Sequence, residues 1–262
     1  MNKSAYILVL ILTIFFGCSD NSTNPSLQNN GSLKLYLVDS PSSMESVIVS
    51  VRRVEVHKSG SDSTSGWHII NSTPSSYDLL TLRNGASAVL GDSVLSPGKY
   101  TQIRLILGDS NYTVEHGVKH SLAIPSSMGT GIKLNHQFTI EAGNLYELVL
   151  DFNVDKSINT AGNGNYMMKP VIRVMSKITS GTVSGRVLPL DAQATVLTTA
   201  GTDTISTYPD SSGYFKLMAL PAGVYNIDIL PGNNNYTATE INGINVDENQ
   251  NTEIGVIELK KN

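Results

Sequence analysis

Cysteine is almost absent: Cys18 is the only one in 262 residues. One thiol cannot close a disulfide within the chain or complete a multi-cysteine zinc site. Charge is sparse as well. Asp, Glu, Lys and Arg make up 15% of the chain, and 22 acids against 18 Lys and Arg leave a net charge of −4. Phosphate backbones are bound by clustered basic surfaces, so this composition argues against a nucleic-acid partner. Tryptophan occurs once, at Trp67. No apolar run reaches the roughly 18 residues of a membrane-spanning helix. The G-x-S-x-G elbow, the H-E-x-x-H zinc motif and the G-x-x-x-x-G-K-[ST] phosphate loop are all missing. The segments "GTGIKL" and "GNGNYM" lack the third glycine of a dinucleotide loop. The expectation is a protein that is not an enzyme. The remaining catalytic route is hydrolysis by a carboxylate pair brought together from distant strands.

What is present begins at the N-terminus. Lys3 is followed by roughly a dozen apolar residues, the length of a signal-peptide apolar region. The run stops at Gly17-Cys18 and turns at once into "SDNSTNPSLQNN". This pattern resembles a bacterial lipoprotein signal, in which the cysteine is lipidated and becomes the new N-terminus. Residues 1–17 then form the signal peptide, and residues 18–30 hold the lipidated Cys18 and a polar tether too poor in apolar residues to bury a core. Removal of the signal leaves no free thiol. Two or three acyl chains, at ~0.8 kcal/mol per buried methylene, hold such a protein on a membrane.

Beyond the tether, period-2 alternation dominates. Leu33, Leu35 and Leu37 share a face. Val47, Val49 and Val51 share another, after which the parity switches to Val54 and Val56. That switch predicts a β-bulge at Arg52-Arg53. Further strands carry Ile103, Leu105 and Leu107, then Phe138 and Ile140, then Leu148, Leu150, Phe152 and Val154. Glu115-His116-Gly117-Val118 reads as a hairpin, and Ala142-Gly143-Asn144 as a connection. "SYDLLTLRNGA" is the one helical candidate, expected to cap the open end of a sandwich and to end at Asn84-Gly85. After a break at Ser180-Gly181 a second set of strands runs through Val183, Phe215, Leu217, Tyr225, Ile227 and Ile229. A closing hairpin is expected through Ile244, Val246, Ile254 and Val256. The two sets do not read as copies of one repeat. The expected fold is all-β, with two β-sandwich domains of Greek-key, transthyretin-like type at 31–178 and 181–262.

Two resemblances accompany this reading. "GSLKLYLVDSP", "VRRVEVH", "YDLLTLRNGA", "LSPGKYTQIRLIL", "LDFNVDKSI" and "YMMKPVIRV" resemble, in order and spacing, the bacterial domain family DUF4382. That implies an exported, lipid-anchored β domain and no particular reaction. "LSPGKYTQIRL" also looks like strands of fimbrillin-type surface proteins. "SGTVSGRV", "DSSGYFKLMALPAGVYNIDI" and "IGVIEL" resemble the carboxypeptidase regulatory-like, transthyretin-like sandwich family, a fold grouped with carbohydrate-binding sandwiches. Some of its members form a Lys–Asn isopeptide crosslink; Arg186 stands in the first strand here, so no crosslink is expected.

Several residues are candidates for chemistry. Asp151, Asn153 and Asp155 in "DFNVDKS" place oxygen at alternate positions, as a calcium loop opens, with Asp39 as a neighbour; calcium is the one cofactor they would bind. Lys156 and Gly162 occupy positions where such a loop needs glycine and glutamate, and strand alternation produces the same spacing. His116 and His120 have the spacing of zinc ligands on a helix, but a hairpin turn at His116-Gly117 puts His120 across from Thr113 and away from His116. Tyr112 and Tyr236, beside asparagines in loops, are candidates for stacking on a ligand. Trp67 in "GWHII" reads as a core plug. Asp62-Ser63-Thr64, Asp92-Ser93-Val94 and Asp203-Thr204-Ile205 match a short bacterial O-glycosylation pattern and are expected in loops.

These observations lead to a cell-envelope lipoprotein, at the outer membrane or cell surface. It would act as a binding or adhesion module with a glycan or a surface protein as partner, carbohydrate being the favoured ligand class. The alternative is a structural subunit or spacer of a surface assembly joined by strand addition.

Overall fold

The computed structural model describes residues 29–40, 42, 44–125, 129–160 and 165–262. Cys18, the signal segment and nearly all of the tether lie outside these residues. Among the described residues twenty strands, one short helix and two 3-10 turns follow one another. They are β1 (Gly31–Ser40), β2 (Ser46–Lys58), β3 (Trp67–Asn71), β4 (Ser75–Asp78), β5 (Ala88–Leu95), β6 (Gly98–Leu107), β7 (Tyr112–Glu115), β8 (Val118–Ala123), β9 (Ile132–Ile140) and β10 (Leu145–Asn153). Next come α1 (Val154–Ser157), β11 (Ile158–Thr160), β12 (Tyr166–Met168) and β13 (Ile172–Ser176). The last group is β14 (Ser180–Leu188), β15 (Thr195–Ala200), β16 (Asp203–Thr207), β17 (Tyr214–Pro221), β18 (Gly223–Leu230), β19 (Thr239–Val246) and β20 (Asn251–Glu258).

The strands form four sheets in sandwich-like pairs. A four-stranded sheet, β13-β10-β1-β5, faces a nine-stranded sheet, β11-β12-β8-β7-β2-β6-β9, with β3 and β4 also on β2. Between them lies a core that includes Leu33, Leu35, Val54, Tyr100, Phe138, Leu150 and Phe152. The rings of Tyr100 and Phe138 stack 5.4 Å apart. A second core, from Val183 to Leu259, fills the space between β17-β14-β20 and β16-β15-β18-β19.

The bulge expected at Arg52 is present: the β2–β6 register slips between Val51 and Arg53, so Val51 and Val54 both face inward. The His116-Gly117 hairpin forms with positive φ at both residues, and His120 sits opposite Thr113. The helical candidate shrinks to one 3-10 turn, Leu79–Thr81, whose first residues plug the core. Asp78 caps it by accepting from the Leu80 amide at 3.2 Å. The closing hairpin is not formed. β19 pairs with β18, and β20 runs parallel to β14 in the opposite sheet.

The two sets of strands follow one path, contrary to the sequence expectation. β1 is parallel to β10 and antiparallel to β5. β14 is likewise parallel to β20 and antiparallel to β17. β6 lies antiparallel to β2 and β9, and β18 antiparallel to β15 and β19. Each path turns the same corner. Leu95-Ser96-Pro97-Gly98-Lys99-Tyr100 and Leu220-Pro221-Ala222-Gly223-Val224-Tyr225 both send a tyrosine hydroxyl back to the carbonyl four residues upstream, at 3.0 and 2.8 Å. This is a tyrosine corner, which fixes the crossing from one sheet to the other. Both paths also start on a glycine beneath the turn that precedes the strand parallel to their first, β10 in one and β20 in the other. A Cβ on Gly31 would meet the Glu141 carbonyl at 2.3 Å, and one on Gly181 the Asp247 carbonyl at 2.3 Å. The first set differs by its insertions, β7–β8 and the α1–β13 segment.

The cores are clamped together by the turn that ends "TLRNGA". Asn84, at φ 53°, donates to the Tyr208 carbonyl at 3.0 Å. Its side-chain oxygen accepts from the Thr207 hydroxyl at 2.7 Å and the Lys216 amide at 3.1 Å. Beside it Val38, Val149 and Ala219 form a small apolar cluster with Tyr36, Met175 and Met218.

Candidate functional site

The β2 bulge decides what the nine-stranded sheet shows to its surroundings. Past it, Val54 and Val56 point inward, so Glu55 and His57 point outward. The register then stacks outward residues in rows across β3, β2, β6 and β9. One row is Trp67, His57, Gln102, Asn135; the next is Ile69, Glu55, Arg104, Lys133.

These rows make a cross-braced platform. Glu55, 4% exposed, is held between two guanidinium groups. Arg53 Nε lies 2.7 Å from one carboxylate oxygen, and Arg104 Nε donates to the other at 2.5 Å while its NH2 group pairs with the same oxygen. A carboxylate with this little exposure is costly to ionise unless paired, and two guanidinium groups meet that need. The Arg104 guanidinium then lies 3.9 Å from the centre of the Trp67 ring. Such a contact contributes about 0.5–2 kcal/mol. His57 meets the ring edge-on with centroids 5.0 Å apart, and the Lys133 ammonium stands 5.9 Å from the ring centre. The loop between β2 and β3 locks the indole from its rim: Trp67 Nε1 donates to the Ser63 carbonyl at 2.9 Å. That loop is itself tied down, with the Asp62 carboxylate accepting from the Thr64 amide at 2.7 Å and His57 Nε2 donating to the Asp62 carbonyl at 3.0 Å. The Thr64 hydrogen bonds hold the Asp62 carboxyl below its ordinary value. Next to the ring, Gln102 Nε2 donates to Asn135 Oδ1 at 2.8 Å. That leaves the Gln102 carbonyl and the Asn135 amide NH2 facing outward as an acceptor–donor pair.

Trp67 is therefore not the core plug expected. It pairs with outward-facing His57 and is only half-buried. The core volume is filled instead by Tyr100, Phe138 and Phe152. The usable sequence signal was parity: Trp67 and Ile69 alternate with buried Ile70 once the hairpin register is set by Glu55 and His57.

The other candidates are spent elsewhere. Tyr236 is 5% exposed, and its hydroxyl donates to the Asp191 carboxylate at 2.8 Å, so it cannot stack on a ligand. Tyr112 is half-buried, and the Lys119 ammonium stands 3.6 Å over one face of its ring. Asp151, Asn153 and Asp155 do not share a strand edge, because β10 ends at Asn153. Asp151 pairs with Arg173 at 2.8 Å, Asn153 caps α1 by accepting from the Lys156 amide at 2.9 Å, and Asp155 lies in the helix. Among the described residues no three His, Cys, Asp or Glu come together as a metal site. Of the three glycosylation tripeptides only Asp62-Ser63-Thr64 lies in a loop; the others fall in β5 and β16.

A cleft of about 570 Å³ opens near Pro189, Leu190, Tyr208, Pro209 and Asp210. Its acid is committed to its own turn, since Asp210 accepts from the Ser212 and Tyr214 amides at 2.8 and 3.1 Å. The cleft offers apolar walls and few convergent polar groups. The Trp67 platform has both.

The fold and this face define an all-β sandwich protein that presents an aromatic-and-polar platform on an open sheet. The chain belongs to the family described as domain of unknown function DUF4382, whose profile matches residues 30–170. No curated protein matches the chain. Among solved structures it is similar to a type II cohesin–X-dockerin complex of Acetivibrio cellulolyticus, at 26% identity over 31% of this chain and 58% of that one, with a TM-score of 0.26. This chain thus spans a little over half the length of that relative. It is also similar to the TIE protein of Bacillus anthracis, at 14% identity over 89% of this chain and 34% of that one (TM-score 0.25). The minor pilin GBS52 of Streptococcus agalactiae matches at 12% identity over 87% and 96%, with a TM-score of 0.23. Superpositions this loose carry no argument about function. Among the described residues no helix is long and apolar enough to cross a membrane.

Proposed function

We propose that this protein is a non-catalytic binding module of the bacterial cell surface, anchored through lipidated Cys18 and tethered by residues 19–30. It holds a glycan on the outer face of its nine-stranded sheet. In this reading residues 31–178 and 181–262 are its two sandwich domains, the second of the carboxypeptidase regulatory-like type. The observation that carries the binding role is the Trp67 ring, braced on Arg104 beside the outward Gln102–Asn135 pair. Sugars are bound by stacking their apolar faces on aromatic rings while fixed polar groups take the hydroxyls, and a preformed platform lowers the ordering cost. Strand addition by a neighbouring subunit has less support. Of the edge strands, β19 and β20 each carry a bulge, at Gly243 (φ 74°) and Gly255 (φ 78°), and bulged edges resist pairing.

The test is glycan binding by the full chain in detergent, read by tryptophan fluorescence. Trp67 is the only tryptophan, so its emission reports on the platform alone. A saturable shift with a surface or cell-wall polysaccharide, lost in an Asn135→Ala, Gln102→Ala double variant of unchanged stability, is the expected result. A flat response across neutral and acidic polysaccharides would end the glycan reading.

A further inference from the structure

The geometry points to an acidic sugar, a carboxylate-bearing glycan, as the ligand of the Trp67 platform; this rests on the binding role proposed above. The platform is locally basic in a protein of net charge −4. Arg53, Arg104 and Lys133 line it, against Glu55 alone in the two rows. The acid within the rows is hidden: Glu55 is 4% exposed beneath the two arginines. Asp62, exposed at the rim, turns its carboxylate into hydrogen bonds with Thr64 of its own loop, so an approaching ligand meets three cations against one exposed carboxylate.

The cations divide the work. Arg104 is committed to Glu55 and to the indole, and Arg53 to Glu55. Lys133 is exposed and makes no ion pair among the described residues. Its ammonium stands over the edge of the Trp67 ring and in register with Arg104. A pyranose on the indole would bring a ring carboxylate to Lys133, with its neighbouring hydroxyls over the Gln102 carbonyl and the Asn135 amide NH2. The ammonium would then make a charge-assisted hydrogen bond, stronger than the neutral bonds around it. A neutral hexose leaves that ammonium with water.

The same fluorescence titration decides the point with two matched probes, an oligomer of a uronic acid and its methyl ester, which differ in charge and in a methyl group on each carboxyl. The expected result is binding of the acid roughly tenfold tighter than the ester, weakening with added salt, as one exposed charge pair gives. Lys133→Gln should remove that preference and leave the affinity for the ester within about twofold, a readout that general loosening of the sheet would not reproduce. Equal affinity for acid and ester overturns the inference while the glycan reading stands. No response to either probe or to other glycans overturns both. A single-stranded oligonucleotide that binds more tightly than the uronate would overturn the inference in favour of a phosphate ligand.

Discussion

Asp39, at the end of β1, is 8% exposed, and neither carboxylate oxygen has a hydrogen-bond partner in bonding geometry. Burial, followed by the nearby charge of Asp151, pushes its carboxyl well above the ordinary 3.8, with Asp155 adding to the effect; Arg83 and the Val154 amide oppose it. An unsatisfied buried group costs on the order of 1–3 kcal/mol. The sign of the pH effect follows from the raised value. The folded state holds this proton more tightly than the unfolded chain, so the contribution is complete below about 3.8 and is lost as pH rises through the folded value. Asp39→Asn should therefore raise stability at pH 7–8 by about 1–2 kcal/mol. That advantage over the native chain should shrink on acidification, as paired urea titrations at several pH values would reveal. A pH-independent difference would show that the asparagine acts by packing alone. Glu55 is the contrasting case. Arg104 hydrogen-bonds it and the Arg53 charge stands beside it, so Arg104→Ala should free the indole and leave the buried carboxylate with the Arg53 charge alone, costing about 1–3 kcal/mol.

At the scale of elements, the tyrosine corners and the entry glycines recur in both halves of the chain. Tyr100 is fully buried, so Tyr100→Phe leaves the Ser96 carbonyl without its partner. The expected loss is about 1 kcal/mol or more, with a comparable loss for Tyr225→Phe, measured as shifts in denaturant midpoint. Gly31→Ala should cost more than either, because its methyl would meet main-chain oxygen, which cannot rotate away. An alanine tolerated at Gly31 would contradict the close approach of β1 to the turn before β10. The bulge at Arg52 acts at this scale too. One extra residue in β2 decides that Glu55 and His57 face outward, and with them Trp67 across the hairpin. A deletion of Arg52 would invert the strand beyond it.

For the whole molecule, Asn84 is the polar tie between the two cores. Asn84→Gly keeps the positive φ that this turn needs but deletes three hydrogen bonds. Calorimetry should then resolve two unfolding transitions where the native chain couples them, and the Lys216 amide should exchange faster with solvent. A single unchanged transition would assign the coupling to the Val38–Val149–Ala219 cluster instead.

The all-β fold, the bulge, the His116-Gly117 turn and most of both cores were legible in the sequence, because alternation and turn chemistry act over a few residues. The family was legible in the order of its motifs. The shared corner was written there as well, in "LSPGKY" and "LPAGVY", but six residues are a faint signal until strand partners are known. Three things were decided by tertiary structure. Trp67 faces outward because its register is set by β2 across a loop. Asn84, which reads as a helix stop, became a clamp because its partners lie more than a hundred residues away. Asp151, Asn153 and Asp155 do not lie along one strand, because α1 begins at Val154 and takes Asp155 into a helical turn. Local spacing determines which face a strand can offer, while pairing between distant strands determines what each face meets.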